Sequence, residues 1–213
     1  MKIFNINNKK GAMFVLDARI ALAIFGSLSV ISGASLYSTI KTVKAEKFHQ
    51  YLKEVVKATE QHHLDTGDFL EIENTGFSIL YINDLVENRK SLASWNGPYV
   101  TDPVTIRDGY LRTSMTKQIN SDALMEIVLR KSGEWYFNAS KTDNMCTTFN
   151  NNCAQWISLN PFHSTEKANF LQLFNDMDEL IDGSDGQLLG NVRYNQYGAG
   201  TILYRGINQQ RDI

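Results

Sequence analysis

Asp17 sits where a charge is hard to place. It lies near the start of an apolar stretch, Met13 to Tyr37, that is broken only by Asp17 and Arg19. A carboxylate in hydrocarbon is costly unless something pairs with it. Arg19 is two residues on, so on a helix the two side chains point to different faces and pair poorly with each other. A partner from another chain would remove the cost. The chemistry this implies is charge pairing between molecules.

The other reactive residues are sparse. Cys146 and Cys153 fall in CTTFNNNC. They are close enough to shut a small loop as a disulfide if the compartment oxidises thiols. The alternative is a pair of buried or free thiols. Zinc is poorly supported, since no second Cys/His pair stands at ligand spacing. His62 and His63 are adjacent on a helical stretch and face apart, which makes a poor chelate even with Asp65 and Asp68 nearby. A solvated helix end is the plainer expectation. His49 and His163 are isolated, and a surface or satisfied role is expected for both. Asp182-Gly-Ser-Asp185-Gly186 has a faint look of a calcium loop but lacks its spacing and closing Glu. A helix-terminating turn is expected there. No serine elbow, phosphate loop or Cys-x-x-Cys is present. No enzymatic activity, metal or cofactor is therefore expected.

The elements that must carry these residues follow from size and patterning. The chain has 213 residues, 43% hydrophobic and 21% charged. That suits one anchor element and one packed domain. A formal net charge of -2 leaves no basic stripe, so no nucleic-acid partner is expected. Three zones open the chain. Residues 1–11 are polar and carry Lys2, Lys9 and Lys10. Met13 to Tyr37 is long enough to cross a bilayer, which takes about 20 helical residues. The lysines before it would stay cytoplasmic by the positive-inside rule. Beyond it, Ile40, Val43, Phe48, Tyr51, Leu52, Val55 and Val56 recur at spacings of three and four. This predicts one helix from Met13 to Leu64 whose outer half needs a cover on its apolar face.

Three readings of this start compete. It could be a cleavable secretory signal cut near Ser32-Gly33-Ala34, though the apolar run is long for that and the helical period continues past the site. It could be a signal anchor that keeps its leader. The third reading gives Asp17 a partner outside the chain.

KKGAMFVLDARIALAIFGSL resembles the prepilin N-terminus of type IV pilins and type II secretion pseudopilins. That family has a basic leader ending in Gly, then an apolar helix with an acidic fifth residue. The resemblance implies cleavage by a prepilin peptidase at Gly11, Ala12 and Met13, and methylation of the new terminus. A cut after Ala12 makes Met13 the first residue and Asp17 the fifth. A cut after Gly11 would leave Asp17 sixth, and the former is favoured because it restores the acid's spacing. Here the acid is Asp rather than the usual Glu, Arg19 is unusual, and the proline often found in the mature helix is missing. Asp17 is implied as the assembly residue, meeting the free amine of an adjoining subunit. Gly26, Ser29, Gly33 and Ala34 are small residues that would let helices approach closely. Glycine is also simply more frequent in membrane helices, whatever their contacts.

The resemblance continues in two later segments. Leu64-Asp65-Thr66-Gly67 would end the long helix, and Trp95, Gly97, Pro98 and Tyr99 in SWNGPY would lead into a sheet, as in the major pseudopilin of type II secretion. Major pseudopilins bind calcium in a C-terminal loop, but that loop is not recognisable here. The fold this implies is pilin-like α+β: a cleaved leader over 1–12, a helix over 13–64 with 13–37 transmembrane, and a periplasmic head over 65–213 with an antiparallel sheet. The localisation implied is the bacterial inner membrane, single-pass, with other copies or pseudopilins as partners.

Within the head, a short helix is predicted from Ser78 to Ala93. A meander is predicted from VTI, YLRTSMTKQI, ALMEIVLRK and EWYFNAS, parted by turn residues. The Cys146–Cys153 stretch reads as an Asn-rich loop. Phe170, Leu171, Phe174, Met177 and Ile181 stand at helical spacing, with Ser164 as N-cap and Gly183 as stop. NVRYNQYGAGTILYRGI reads as a final hairpin.

Overall fold

The structure is a computed structural model. It describes residues 9–74, 76–100, 105–107, 110–112, 123–133, 144–147, 152–161, 165, 167–196 and 200–208, with the backbone alone at 9–15, 74, 105–107, 110–112 and 208. The chain divides into two compact units, Met1–Val43 and Lys44–Ile213.

Helix α1 runs from Lys9 to Thr66, 58 residues, starting before and ending after the predicted bounds. With no proline in it, nothing removes a backbone donor along its length. Helical structure continues through Gly26 and Gly33. Within α1, the stretch beginning at Leu16 is long and apolar enough to cross a membrane. In the first unit its large apolar side chains are exposed, among them Leu22, Phe25, Val30 and Tyr37. Ile40 and Val43, predicted to lie on the covered face, are exposed as well.

In the second unit the helix has a cover. Ala45, Phe48, Tyr51, Leu52, Val55 and Ala58 enter the main hydrophobic core, at spacings of three and four. Fully burying a side chain the size of Phe48 or Leu52 contributes about 1.5–3 kcal/mol. The helix stops at Gly67, whose φ of 76° and N–H to the His63 carbonyl (2.8 Å) make a left-handed cap.

An antiparallel sheet supplies the other wall. Its strands are β1 (Ile72–Asn74), β2 (Ile79–Leu80), β3 (Thr105–Arg107), β4 (Tyr110–Arg112), β5 (Leu124–Lys131), β6 (Cys153–Asn160), β7 (Val192–Asn195) and β8 (Thr201–Asn208). Six of them run in the order β1-β2-β5-β6-β8-β7, and the β3–β4 hairpin joins β5 through β4. At the centre Ile127 pairs with Ile157, and Ile157 with Tyr204. Met125, Ile127, Leu129, Ile157, Leu159, Ile202 and Tyr204 alternate into the core shared with α1. Helix α2 (Lys167–Asp182) adds Phe170, Phe174 and Met177 to it. The arrangement is α+β.

The opposite side of the sheet is also buried, and it mixes apolar and charged groups. Val128, Ala154, Trp156 and Leu203 form a second small cluster. Glu126 accepts from Ser158 Oγ (3.2 Å) and Asn160 Nδ2 (2.8 Å). Arg130 donates to the Phe77 carbonyl at 2.9 Å, and burial pulls its pKa down to about 10. Arg193 lies over the Trp156 ring and donates to the Gly133 carbonyl at 2.6 Å.

Two predicted elements differ. The segment Ser78 to Ala93 is not one helix: β2 comes first, then a single 3-10 turn over Ile82–Leu85. Ile79 is taken up by pairing with Val128, so sheet formation overrides the helical spacing of the apolar residues. The longest pairing of β5 is with β6, which begins at the second cysteine and has no counterpart in the predicted meander. EWYFNAS lies outside the described residues, as do most of YLRTSMTKQI and Ser164. The final hairpin is present as β7 and β8, with Val192 opposite Tyr204.

Candidate functional site

The residues singled out in the first unit lie on one continuous helix. Gly11, Ala12 and Met13 are within α1 by their backbone. Asp17 and Arg19 are both exposed. Among the described residues neither has an ion-pair partner, the three ion pairs all belonging to the head. Gly26, Ser29, Gly33 and Ala34 are exposed, and the two glycines have open space where a Cβ would stand. The arrangement can do one thing chemically: offer an acid, a base and a long apolar surface to something outside the chain.

In the second unit, the end of α1 and the SWNGPY segment form one junction. His62 is buried rather than solvated, and its ring meets Tyr99 edge to face with centroids 5.6 Å apart. Burial lowers its pKa, against a smaller opposing pull from Asp84. Its Nδ1 has no hydrogen-bond partner among the described residues. His63 turns the other way and stacks on Phe69, centroids 4.1 Å apart. The two histidines thus face apart, as adjacent helical residues must.

Trp95 fixes the far side of this junction. Its Nε1 donates to the Asp84 carbonyl at 2.8 Å, and its ring stands against Tyr99. Gly97 lies under the indole: a Cβ there would clash with the Trp95 ring. Tyr99 closes the turn, its N–H donating to the Leu85 carbonyl at 2.8 Å. The Asp84 carboxylate in turn accepts from Arg89 Nε at 3.0 Å, and Arg89 reaches on to Glu71 at 3.2 Å. An open cavity of about 690 Å³ lies along this wall, with Tyr51, Lys57, Gln61, Asp65 and Tyr99 in its lining.

His49 is satisfied rather than free, its Nε2 3.2 Å from the Tyr204 hydroxyl on β8. His163 lies outside the described residues. Cys146 and Cys153 are joined as a disulfide, which leaves no free cysteine. The bridge fastens the start of β6 to Cys146, whose N–H reaches the Leu129 carbonyl of β5.

The turn after α2 holds more than the sequence pattern indicated. Asp182 and Asp185 are joined by Asp178, and one oxygen from each lies within 4.8 Å of the others. Asp178 is the residue missed. It stands four before Asp182, on the same helix face, and that spacing was the available signal. Asp182 is engaged structurally, accepting from the N–H groups of Asn191 (2.8 Å) and Val192 (2.7 Å). Asp178 is buried, with Oδ2 accepting from the Gly186 N–H at 3.2 Å and Oδ1 without a hydrogen-bond partner among the described residues. Burial chiefly, with Asp185 and Asp182 adding to it, pushes its pKa up to about 6. Gly183, with φ of 70°, ends the helix at this point.

Comparison with family models, with curated proteins and with solved structures gives no match.

Proposed function

We propose that the chain is a structural subunit of a type II secretion pseudopilus or a related type IV pilus-like filament, with no catalytic activity of its own. A prepilin peptidase would remove the leader, and the helix would hold the head at the inner membrane and build the filament core. The observation that carries this reading is one uninterrupted helix used in two ways. Its first part exposes an apolar surface containing Asp17, and its second part is built into the head from Ala45 onward. Such a surface needs lipid or other helices around it. The Asp17 carboxylate needs a counter-charge in that setting, and the new amine of Met13 on an adjoining subunit would provide one.

The second reading is a membrane-anchored periplasmic binding domain that does not polymerise. The cavity of about 690 Å³ beside Tyr99 favours it.

Mass spectrometry of the N-terminus in protein taken from membranes separates the two. A chain beginning at methylated Met13 is the expected result. A chain that still carries residues 1–12 would remove the filament reading and leave the anchor.

A further inference from the structure

Arg19 has no role in the reading above, yet it shares the apolar start of the helix with Asp17. Both are exposed on α1, and among the described residues neither has a partner. Successive helical residues are turned by about 100°, so Asp17 and Arg19 are about 200° apart and point to nearly opposite sides. They differ in position along the axis by only about 3 Å. Each helix therefore offers an acid on one side and a base on the other, at almost the same depth. The two cannot neutralise each other within one helix, but two parallel copies side by side can do so.

We propose that Asp17 of one copy pairs with Arg19 of the next, so that the chain is its own partner through this level of α1. The pairing rests on the reading that copies meet through this helix, and it needs no cleavage of the leader. Its geometry is heterologous: the acidic side of one helix meets the basic side of another, which leaves one acid and one base unsatisfied at the ends. A contact of that kind propagates into rings or helical filaments, whereas an isologous contact stops at a dimer. The small stagger between the charges falls within the longer reach of the arginine, and its guanidinium can hold a carboxylate by two parallel hydrogen bonds. A partner of another kind would need its own acid and base at matching depth, while a second copy has both.

Cysteine cross-linking of the full chain in membranes tests this. Ala21 lies one turn from Asp17 on its side, and Ala23 one turn from Arg19 on the other. Under mild oxidation, Ala21→Cys alone and Ala23→Cys alone should remain monomeric. The two variants expressed together should give a dimer, and the double variant a ladder of multimers. Asp17→Arg or Arg19→Asp, placed in the double variant, should cut the ladder at least about tenfold, which is about 1.4 kcal/mol. The exchange Asp17→Arg with Arg19→Asp should restore it. Homodimers of either single cysteine variant, as strong as the mixed dimer, would overturn the heterologous pairing. A charge exchange that fails to restore the ladder, in protein inserted as well as wild type, would overturn the pair itself. A ladder formed by a chain that keeps its leader leaves the pairing standing and removes the filament reading. A cleaved, methylated chain with no ladder does the reverse.

Discussion

His62 on the last turns of α1 and Tyr99 at the end of the SWNGPY segment touch edge to face, with ring centroids 5.6 Å apart. The contact joins two stretches that are far apart in sequence and were notable for separate reasons. It means that the stem and the turn leading into the sheet are held by one aromatic cluster, in which Trp95 is the third ring. The junction has a titratable group at its centre, and it should respond to pH.

Burial lowers the His62 pKa below its ordinary value of 6.5. The unfolded chain therefore binds the proton more readily than the folded one. The stability associated with neutral His62 is present above pH 6.5 and is lost as pH falls through the folded pKa. Between pH 7 and pH 5 the urea midpoint of the wild-type protein should fall relative to that of His62→Gln, which keeps every other titrating group, Asp178 included, the same. An unchanged slope in the variant would place the dependence elsewhere.

Asp178 works in the opposite sense. Its folded pKa of about 6 lies above the ordinary 3.8. The folded state binds the proton more readily, so this contribution is present below about pH 4 and is lost as pH rises through about 6. Asn keeps an acceptor for the Gly186 N–H and removes the charge. Asp178→Asn should raise stability at pH 7.5 by about 1–2 kcal/mol and change it little at pH 4. A lower urea midpoint at pH 7.5 would mean that the charge is compensated, and the argument from burial of an uncompensated carboxylate would fail.

Some of this was legible in the sequence and some was not, for reasons that can be assigned. The stem, α2 and the final hairpin carry clear periods of 3.6 and 2, with Gly67 and Gly183 marking the helix ends. Strand β6 was missed because CAQWISLN is buried on both faces and so lacks alternation. The segment after Ser78 gave the wrong period because Leu80, Ile82 and Leu85 are all buried, though by a strand and a single 3-10 turn. Asp178 was hidden in the apolar count of α2, where Phe174 and Met177 drew attention to the face beside it. The covered half of α1 was readable as amphipathic, but where the cover begins was not. Ile40 and Val43 continue the pattern of Phe48 and Leu52, and only tertiary contact distinguishes them.

The disulfide should matter locally. It spans a sequence separation of 7, a small loop. In the chain-entropy account such a loop restricts the unfolded state by no more than about 2–3 kcal/mol. Replacing both cysteines by serine should lower the urea midpoint within that bound and leave a cooperative transition. Thiol titration of the native protein should find no free thiol. Two reactive thiols in native protein, or a fully unfolded double variant, would contradict the role given to the bridge.

Gly97 provides the sharpest test of the junction. A Cβ at this position would stand less than 3.0 Å from three atoms of the Trp95 ring, nearer than atoms can approach without movement. The indole cannot simply swing away, because its Nε1 donates to the Asp84 carbonyl and its ring is packed against Tyr99. Gly97→Ala should therefore cost about 1–3 kcal/mol, the usual range for overpacking. Gly133→Ala is the control, since nothing among the described residues lies within 4 Å of its added Cβ. It should be close to neutral. If the indole is the obstacle, Trp95→Leu should remove most of the penalty, so that the two substitutions couple by about 1 kcal/mol in a double-mutant cycle. Additive effects would show that Gly97 is needed for its backbone alone and that Trp95 does not set the space beneath it.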